Sequence, residues 1–339
     1  MNDLCLEIEE NLKICVWNIN GIKNKFDCDS TMELFESKDL VIIIESHHGI
    51  RTKKLKIFSL IGRSVPREAK KLRGGVAVYQ KSDSRYKFKT LSDKFYDTIV
   101  LSLENSSNIF IATYIPPRNS IYYSDTYFEN LSLIMDNFKS KNMYIFGDLN
   151  SRTGNNYPNN GFIYKNNPDV NTNLNGKRLI DILHQNKNFN IVNGIKFKNH
   201  SFDSNFTCIR KNGVSQVDIF ITNRIEKVKS FTIKDKLIYS DHCPLYIELK
   251  VDLIPNLELI DECSRGFYDY SHYDVNRKIL KGINAKSLNL NSLMVDLQSL
   301  GDNLFRKYTN ISGCQDIVNN LTNILTKGIY ESCINNRIS

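Results

Sequence analysis

Polar side chains end or interrupt several apolar runs in this sequence, at positions that a hydrophobic core would not select. Burying an unpaired carboxylate costs several kcal/mol, so each acid at such a position needs a partner or a role. Carboxylates and amides offer oxygen ligands to hard cations, and histidine exchanges protons near neutral pH. Metal-assisted or acid–base chemistry could therefore be carried by Asn18, Asn20, Glu45, Tyr114, Asp148, Asn150, Asp218, Asp241 and His242.

Taken one at a time, these positions also have ordinary structural explanations. Asp148 and Asn150 are residue types that form an Asx turn closing a strand, and Glu45 has the position of a salt-bridged strand terminus. A lone His242 is more often a hydrogen-bonded structural histidine than a base. Asp218 is harder to explain in this way because it stands between apolar residues in QVDIFI.

The elements that must position these side chains are mostly short strands. Helical periodicity appears in TYFENLSLIMDNFKS and GKRLIDILHQN. Strands outnumber helices and do not alternate strictly with them, which favours packed sheets with flanking helices over a doubly wound parallel fold. The runs rich in Ile, Val, Tyr and Phe that predict strands are KICVWNI, LVIIIES, GGVAVYQ, TIVLSL, IFIATYI, NMYIFGDL, QVDIFIT and PLYIELK.

The pattern changes after about residue 250. Leucine and isoleucine recur at helical spacing over residues 293–304 and 317–329. We therefore expect one domain over residues 13–250 and a helical tail or linker over residues 251–339. The fold class is predicted to be α+β, with a helical appendage at the C-terminus.

Charge, cysteine content and hydropathy narrow the classes of function. The net charge is +8, and residues 251–339 contain nine Lys or Arg and ten Asp or Glu, so the positive excess lies in residues 1–250. Such an excess suits a polyanionic partner, or is only a solvated basic surface. Eight cysteines without a C-x-x-C pair indicate free thiols in a reducing compartment. No signal peptide and no apolar run of about 18 residues is present, which predicts an intracellular protein without a membrane span.

Six motifs occur in a characteristic order: W-N-I-x-G, E-S after an apolar strand, Y-I-P-P, G-D-L-N, S-x-V-D and S-D-H. In this order they resemble the endonuclease/exonuclease/phosphatase superfamily over about residues 13–250. Within it, the spacing of GDLNSRTG, NLNGKRLIDIL and NIVNG looks like the apurinic-type endonuclease domain of LINE-type (non-LTR) retrotransposons. Position 114 is a tyrosine, as in apurinic-type and retrotransposon enzymes, whereas deoxyribonucleases and sphingomyelinases of this fold usually carry histidine there. At this position the sequence therefore resembles the nucleic-acid branch.

The resemblance implies a four-layer α/β sandwich, in which two packed central mixed sheets are flanked by helices. It implies a Mg²⁺ site, with Mn²⁺ as a possible substitute, formed by Glu45, Asn18 and Asp241. Asp218 would orient His242, and this pair would contact the scissile phosphate. Either Asp148 or His242 would be the base. The remaining catalytic positions would be Asn150, which holds Asp148 and the phosphate oxygens, and Tyr114, which donates to a phosphate oxygen.

Basic residues on loops around this centre are candidates for contact with double-stranded DNA. Such contacts to phosphates are sensitive to salt and largely independent of sequence. In retrotransposon enzymes a variable hairpin helps to select the target, which makes residues 196–206 a candidate for site preference. The predicted DNA-binding residues are Lys23, Lys25, Arg73, Lys196, Lys198 and His200.

Three functions follow as hypotheses. The first is a Mg²⁺-dependent endonuclease that nicks one DNA strand and leaves a 3′-hydroxyl, which a reverse transcriptase of the same element would extend in the nucleus. The second is an abasic-site repair endonuclease or another phosphoester hydrolase of the same fold. The third is a catalytically silent nucleic-acid-binding relic. Nothing after residue 250 resembles a reverse transcriptase, which predicts a fragment, a truncated reading frame or a derived host gene.

Overall fold

The computed structural model of the protein describes residues 11–22, 25–47, 55, 57–64, 73–92, 95–157, 163–164, 167–198, 200–235 and 239–253. The chain divides between Phe267 and Tyr268, and every described residue belongs to the first unit. The predicted helical tail lies outside the described residues apart from positions 251–253, so its helices stay a prediction.

The described residues form many short strands and few helices. The helices are α1 (Asp29–Glu36), α2 (Thr126–Asn137) and α3 (Leu174–Gln185). The strands are β1 (Leu12–Asn18), β2 (Leu40–Ile44), β3 (Phe58–Arg63), β4 (Val76–Lys81), β5 (Phe88–Ser92), β6 (Thr98–Leu103), β7 (Asn108–Thr113), β8 (Asn142–Asp148), β9 (Ile163–Tyr164), β10 (Asn190–Ile191), β11 (Ile195–Phe197), β12 (His200–Ser201), β13 (Cys208–Arg210), β14 (Gly213–Ser215), β15 (Asp218–Thr222), β16 (Val228–Ile233) and β17 (Leu245–Leu249).

Two six-stranded mixed sheets organise these strands. The first has the order β16-β17-β1-β2-β4-β3 and the second the order β10-β15-β8-β7-β6-β5. Each contains one parallel pair, β1 with β2 and β7 with β8, among antiparallel neighbours. A three-stranded sheet of β9, β11 and β12 and a hairpin of β13 and β14 stand beside them.

The alternation of side chains along each strand explains why the apolar runs are unbroken. On β1, Ile14 and Val16 enter the core shared by the two sheets, whereas Cys15 and Trp17 pack on the opposite face with Phe35 of α1. Successive side chains of a strand point to opposite faces, so a strand covered on both faces needs apolar residues throughout. Each large side chain buried in this way contributes about 1.5–3 kcal/mol.

Helices cover the outer face of the second sheet too. Apolar residues of α2 and α3 form one cluster with the outward side chains of β7, β8 and β15. The order of layers is therefore α1, first sheet, second sheet, and α2 with α3. This arrangement confirms the predicted sandwich of two packed mixed sheets with flanking helices.

Gly147, in the motif GDLN, occupies a position that no side chain fits. Its φ is +147°, and a Cβ added there would lie 1.7 Å from the carbonyl oxygen of Thr113 on β7. We expect Gly147→Ala to lower the free energy of unfolding by about 3 kcal/mol or more, since β7 and β8 would have to separate. Chemical denaturation followed by circular dichroism measures this.

Gly213 provides the matched control, because its φ of +142° is similar but a Cβ would meet nothing within 4 Å. Gly213→Ala should therefore cost only the backbone conformation, about 1 kcal/mol. Equal losses from the two substitutions would contradict the steric explanation.

Candidate active site

The strand directions bring the polar strand ends together at one edge of the sandwich. In the first sheet, β1 ends at Asn18 and the parallel strand β2 leads into Glu45, while the antiparallel strand β17 is entered from His242. In the second sheet, β8 ends at Asp148 directly opposite Asp218, the first residue of β15. Strands far apart in the sequence thus deliver their polar ends to one place.

His242 and Asp218 form a buried pair. Nδ1 of His242 donates to Oδ2 of Asp218 at 2.7 Å, and both side chains are almost fully buried. Burial acts to lower the pKa of His242, but the carboxylates of Asp218 and Asp148 outweigh it and raise that pKa well above its usual value. Because the N–H of Nδ1 is donated to Asp218, Nε2 is the ring nitrogen left for other contacts.

Nε2 of His242 is buried without a hydrogen-bond partner and lies 3.8 Å from Oδ2 of Asp148. An unsatisfied buried polar atom is costly, which points to a partner that this structure does not contain. The nitrogen is therefore positioned to meet a ligand.

Asp148 is the most perturbed acid of the site. It is 1% exposed and accepts hydrogen bonds from the Asn18 amide at 2.9 Å and from the backbone N–H of Asn150 at 2.9 Å. Burial, followed by the charges of Asp218 and Glu45, raises its pKa to about 7. A carboxyl group with such a pKa can accept a proton at neutral pH.

Glu45 keeps its charge in the same surroundings. Burial acts to raise its pKa, but hydrogen bonds from His47 and Asn18 outweigh it and lower the pKa to about 2. The Asn18 amide nitrogen donates to both Glu45, at 3.0 Å, and Asp148, at 2.9 Å. Asn18 thus joins the two sheets at the site.

The backbone is strained where these side chains leave their strands. Glu45, His47 and Asn150 have φ values of +48°, +48° and +45°, which non-glycine residues seldom adopt. Such conformations cost about 1–3 kcal/mol each and cluster at functional sites. The strain here is consistent with a site built to hold a ligand.

Neighbouring residues fix the histidine and its aspartate. The indole of Trp17 donates to the carbonyl oxygen of His242 at 2.9 Å. The hydroxyl of Ser240 donates to the carbonyl oxygen of Asn18 at 2.6 Å and accepts from the N–H of His242 at 3.1 Å. Thr207 accepts from the N–H of Asp218 at 2.9 Å. The positioning roles of Trp17 and Thr207 were not predicted, since neither belongs to a polar strand end.

The donor set fits a divalent cation. Within the described residues, Asp148, Asp218 and His242 each offer a ligand atom, and these atoms lie within 4.8 Å of one another. The carboxylates of Asp148, Asp218 and Glu45 and the amide of Asn18 offer oxygen atoms at this place. Oxygen ligands suit Mg²⁺, which is commonly held by one or two carboxylates and water.

Three other predicted site residues have distinct environments. The side-chain amide of Asn150 donates to the carbonyl oxygen of Ile115 at 2.9 Å, so its backbone N–H and not its side chain holds Asp148. Tyr114 follows β7 and is 6% exposed. Asp241 is 44% exposed and pairs with Arg210 at 3.3 Å. Asp241 lies outside the group of three potential ligands, so its metal role stays a prediction.

The predicted DNA-binding residues are only partly described. Lys25 donates to the carbonyl oxygens of Ile19 and Asn20, beside the acidic centre. Arg73, Lys196 and Lys198 are exposed. Lys23 lies outside the described residues, and so does the side chain of His200. Arg210, at the end of β13, is a further basic side chain beside Asp241 and was not among the predicted site residues.

No protein-family model and no curated protein matches the chain. Solved structures with a similar fold include the endonuclease domain of TRAS1, a telomere-specific non-LTR retrotransposon, which is 13% identical with a TM-score of 0.51 over 71% of this chain and 99% of that one. The chain has the endonuclease/exonuclease/phosphatase fold.

Two further structures share the endonuclease/exonuclease/phosphatase fold with this chain. An AP endonuclease from Leishmania major is 13% identical, with a TM-score of 0.54 over 74% of this chain and 91% of that one. The 3′ phosphatase NExo from Neisseria, bound to a product DNA hairpin, is 13% identical, with a TM-score of 0.51 over 70% of this chain and 99% of that one. At these identities the comparisons establish the fold.

Among the described residues, helices long and apolar enough to cross a membrane are absent.

Proposed function

We propose that this protein is a Mg²⁺-dependent DNA endonuclease that nicks one strand and leaves a 3′-hydroxyl and a 5′-phosphate. The observation that supports this most is the buried group of Asp148, Asp218 and His242, whose ligand atoms lie within 4.8 Å of one another at the joined edge of the two sheets. An unpartnered His242 Nε2 in this group is a ready donor to a phosphate oxygen.

In this proposal Glu45 and Asn18 hold the cation, as the resemblance implies, beside the buried carboxyl groups of Asp148 and Asp218. A bound Mg²⁺ would act as a Lewis acid on the phosphate and stabilise charge that develops during displacement. Without it, three neighbouring carboxyl groups face one imidazolium. The proposal therefore predicts a strict requirement for a divalent metal, and Mn²⁺ is a suitable substitute.

The residues of the chain account for the remaining steps. Asp218 keeps the proton of His242 on Nδ1, and His242 donates from Nε2 to a non-bridging phosphate oxygen. Asp148 takes a proton from the attacking water. The water oxygen bonds to phosphorus, the bond from phosphorus to O3′ breaks, and O3′ takes a proton from bulk water, while Asp148 later releases its proton to solvent. Asn150 and Tyr114 would contact the phosphate as the resemblance implies.

The biological setting belongs to the same proposal. The fold shared with the TRAS1 endonuclease domain and the order of the six motifs support a retrotransposon-type enzyme. Its substrate would be double-stranded DNA in the nucleus, and a reverse transcriptase of the same element would extend the 3′-hydroxyl.

Supercoiled plasmid tests the activity directly. With purified full-length protein and Mg²⁺, we expect conversion of supercoiled to open-circular DNA, and no conversion in EDTA. A DNA polymerase should extend the nicks without prior phosphatase treatment, since they carry 3′-hydroxyls.

Restoring excess Mg²⁺ to the EDTA reaction is the control for irreversible damage by the chelator, and nicking should return. Failure to nick with Mg²⁺ or Mn²⁺ would contradict the proposal. Nicks that a polymerase cannot extend would contradict the stated end chemistry.

Abasic-site cleavage is the second candidate, favoured by the fold shared with the AP endonuclease from Leishmania major. A duplex with one abasic site, compared with the same intact duplex, separates the two. Strong preference for the abasic duplex would replace the nicking proposal with a repair function.

A further inference from the structure

Asp97 is a buried acid that lies outside the predicted site and is not used by the proposed mechanism. It directly precedes β6, and its side chain is fully buried. Its φ of +54° lies in the left-handed region, which glycine adopts without strain and other residues seldom adopt. A buried carboxylate at such a position is costly in both desolvation and backbone strain. The side chain therefore has a task that outweighs these costs.

The carboxylate of Asp97 joins three layers of the fold. Its Oδ1 accepts from the backbone N–H of Gly75, which directly precedes β4 of the first sheet, at 2.5 Å. Its Oδ2 accepts from the hydroxyl of Tyr127 in α2 at 2.8 Å. Asp97 itself leads into β6 of the second sheet. A carboxylate is a strong acceptor, so this group holds the first sheet against the second sheet and α2.

A glycine pair, Gly74 and Gly75, connects this carboxylate to the cation site. The carbonyl oxygen of Gly75 accepts from the N–H of Ser46 at 3.0 Å. The carbonyl oxygen of Gly74 accepts from the N–H of His47 at 3.0 Å. Ser46 and His47 are the two residues after Glu45. One short stretch of backbone thus lies between the carboxylate and the segment that carries Glu45.

Glu45 needs support from outside its own strand. Strand β2 ends at Ile44, and both Glu45 and His47 have a φ of +48°. Strained backbone of this kind persists only where neighbouring contacts hold it. On one side the N–H of Gly21 donates to the carbonyl oxygen of Glu45 at 2.8 Å. On the other side the support comes from the glycine pair.

Asp97 also holds the residue that the proposed function places at the phosphate. Its backbone carbonyl oxygen accepts from the N–H of Tyr114 at 2.8 Å. Tyr114 directly follows β7, whose last residue, Thr113, pairs with Thr98 of β6. Asp97 therefore contacts the Tyr114 segment directly and the Glu45 segment through the glycine pair.

We propose that Asp97 is a positioning residue that sets where Glu45 stands relative to Tyr114. Its side chain acts on the cation site through the glycine pair, and its backbone acts on Tyr114. This assignment rests on the proposed function and adds to it a residue that contacts neither metal nor substrate. Removing a group that supports the ligands of a metal site commonly weakens metal binding about 10–100-fold.

Asp97→Gly isolates the side-chain part of this role. Glycine fits the positive φ and keeps the backbone bond to Tyr114, but it removes both hydrogen bonds of the carboxylate. Mn²⁺ is titrated into full-length protein, and the free ion is followed by electron paramagnetic resonance. We expect Mn²⁺ to bind Asp97→Gly about tenfold more weakly than the wild type.

Plasmid nicking by Asp97→Gly gives a second measurement. The Mg²⁺ concentration at half-maximal rate should rise about tenfold, while the rate at saturating Mg²⁺ should fall less than about threefold, because the loss is mainly one of metal binding. A purely structural defect would lower the rate at every Mg²⁺ concentration and leave the half-maximal concentration unchanged, which would overturn the assignment.

Asp39→Gly is the matched control. The Asp39 carboxylate also accepts from one backbone N–H, that of Lys13 at 2.9 Å, and from one hydroxyl, that of Ser84 at 2.8 Å. Asp39 precedes β2, at the other end of that strand from Glu45. The control should melt at a lower temperature but bind Mn²⁺ within about twofold of the wild type, since distant sites act independently. Equal losses of Mn²⁺ affinity in the two glycine variants would overturn the assignment.

Asp97→Asn separates hydrogen bonding from charge. The amide oxygen still accepts from the N–H of Gly75, the amide NH₂ can donate to the hydroxyl oxygen of Tyr127, and asparagine tolerates a positive φ. Mn²⁺ should therefore bind within about threefold of the wild type. A loss as large as that in Asp97→Gly would overturn the assignment, because the charge and not the hydrogen bond would then control the site.

Asp97→Glu takes the place of Asp97→Gly if the glycine variant does not fold. It keeps the charge, but its extra methylene shifts the acceptor relative to the N–H of Gly75. Mn²⁺ should again bind about tenfold more weakly. Unchanged Mn²⁺ affinity in folded Asp97→Glu would contradict the positioning role.

These measurements separate the positioning role from the nuclease. Mn²⁺ binding that weakens in Asp97→Gly but not in Asp39→Gly, without plasmid nicking by the wild type, would refute the proposed function and leave the role of Asp97 standing. Nicking by the wild type, with equal metal affinities in the wild type and Asp97→Gly, would do the reverse. Absence of Mn²⁺ binding by the folded wild type would refute both.

Discussion

Replacing His242 with alanine is expected to lower the nicking rate about 10³-fold or more, with Mg²⁺ present. Its Nε2 is the unpartnered buried donor of the site, 3.8 Å from Asp148, and the carboxylates of Asp218 and Asp148 raise its pKa well above the usual value. General acid–base and electrostatic contributions of one such group reach about 10²–10⁴-fold. Single-turnover nicking of supercoiled plasmid, quantified on agarose gels, measures the loss.

His184→Ala is the matched control, because His184 is exposed in the last turn of α3 and remote from the site. It should nick at the wild-type rate. A companion variant, Asp218→Asn, keeps the imidazole but replaces the charged acceptor by a neutral amide, whose N–H₂ can donate to Nδ1 and so no longer fixes the proton there. It should lose about as much activity, since the analogous change in a serine protease costs about 10⁴-fold. Wild-type rates for both site variants would remove His242 from the mechanism.

The polar ends of strands were the part of the site that the sequence could predict. An acid at the end of an apolar run, as at Glu45 and Asp148, is costly unless it has a role. Asp218 within QVDIFI gave the same indication, since an acid among apolar residues is also costly unless it has a role. The structure brings these three together with His242 because parallel neighbours such as β1 and β2 end at the same edge of a sheet, and antiparallel neighbours such as β8 and β15 bring the end of one strand to the start of the other.

The contacts between the two sheets could not be predicted in this way. The side-chain amide of Asn18 joins Glu45 to Asp148. This contact depends on how the two sheets face each other, and no local sequence pattern contains that information. The same holds for Trp17, whose indole supports His242 from 225 positions away in the chain. Its apolar neighbours gave it the pattern of an ordinary core residue.

Several elements were also missed. Helix α1 and strands β3, β5 and β16 were not predicted, since their apolar residues are few or interrupted. On β3, for example, only Phe58 is buried, and the other five positions are half-buried or exposed. An edge strand with one poorly covered face has little alternation to detect. By contrast, α2 and α3 coincide with the two helical patterns, because each buries one continuous apolar stripe.

Asp148→Asn is expected to separate stability from activity by moving them in opposite directions. Nicking should fall about 10³-fold, because an amide cannot accept the proton of the attacking water. The metal-free protein should at the same time become more stable. Burial and the neighbouring carboxylates raise the pKa of Asp148 from 3.8 to about 7, so at pH 8 its ionised form costs several kcal/mol of folding free energy.

The amide removes that cost but gives up the hydrogen bond from Asn18, worth about 1 kcal/mol. A net gain therefore remains, and the melting temperature in EDTA at pH 8 should rise by about 3 °C or more. Mg²⁺ should then raise the melting temperature of the wild type more than that of the variant, since a ligand stabilises the state that binds it.

Asp136→Asn, at an exposed position of α2, is the control. It should leave the nicking rate, the melting temperature in EDTA and the effect of Mg²⁺ on melting unchanged. A lower melting temperature of Asp148→Asn in EDTA would show that the carboxylate is a structural hydrogen-bonding group. A higher melting temperature together with lost nicking means that stability is sacrificed at this position for metal binding and proton transfer.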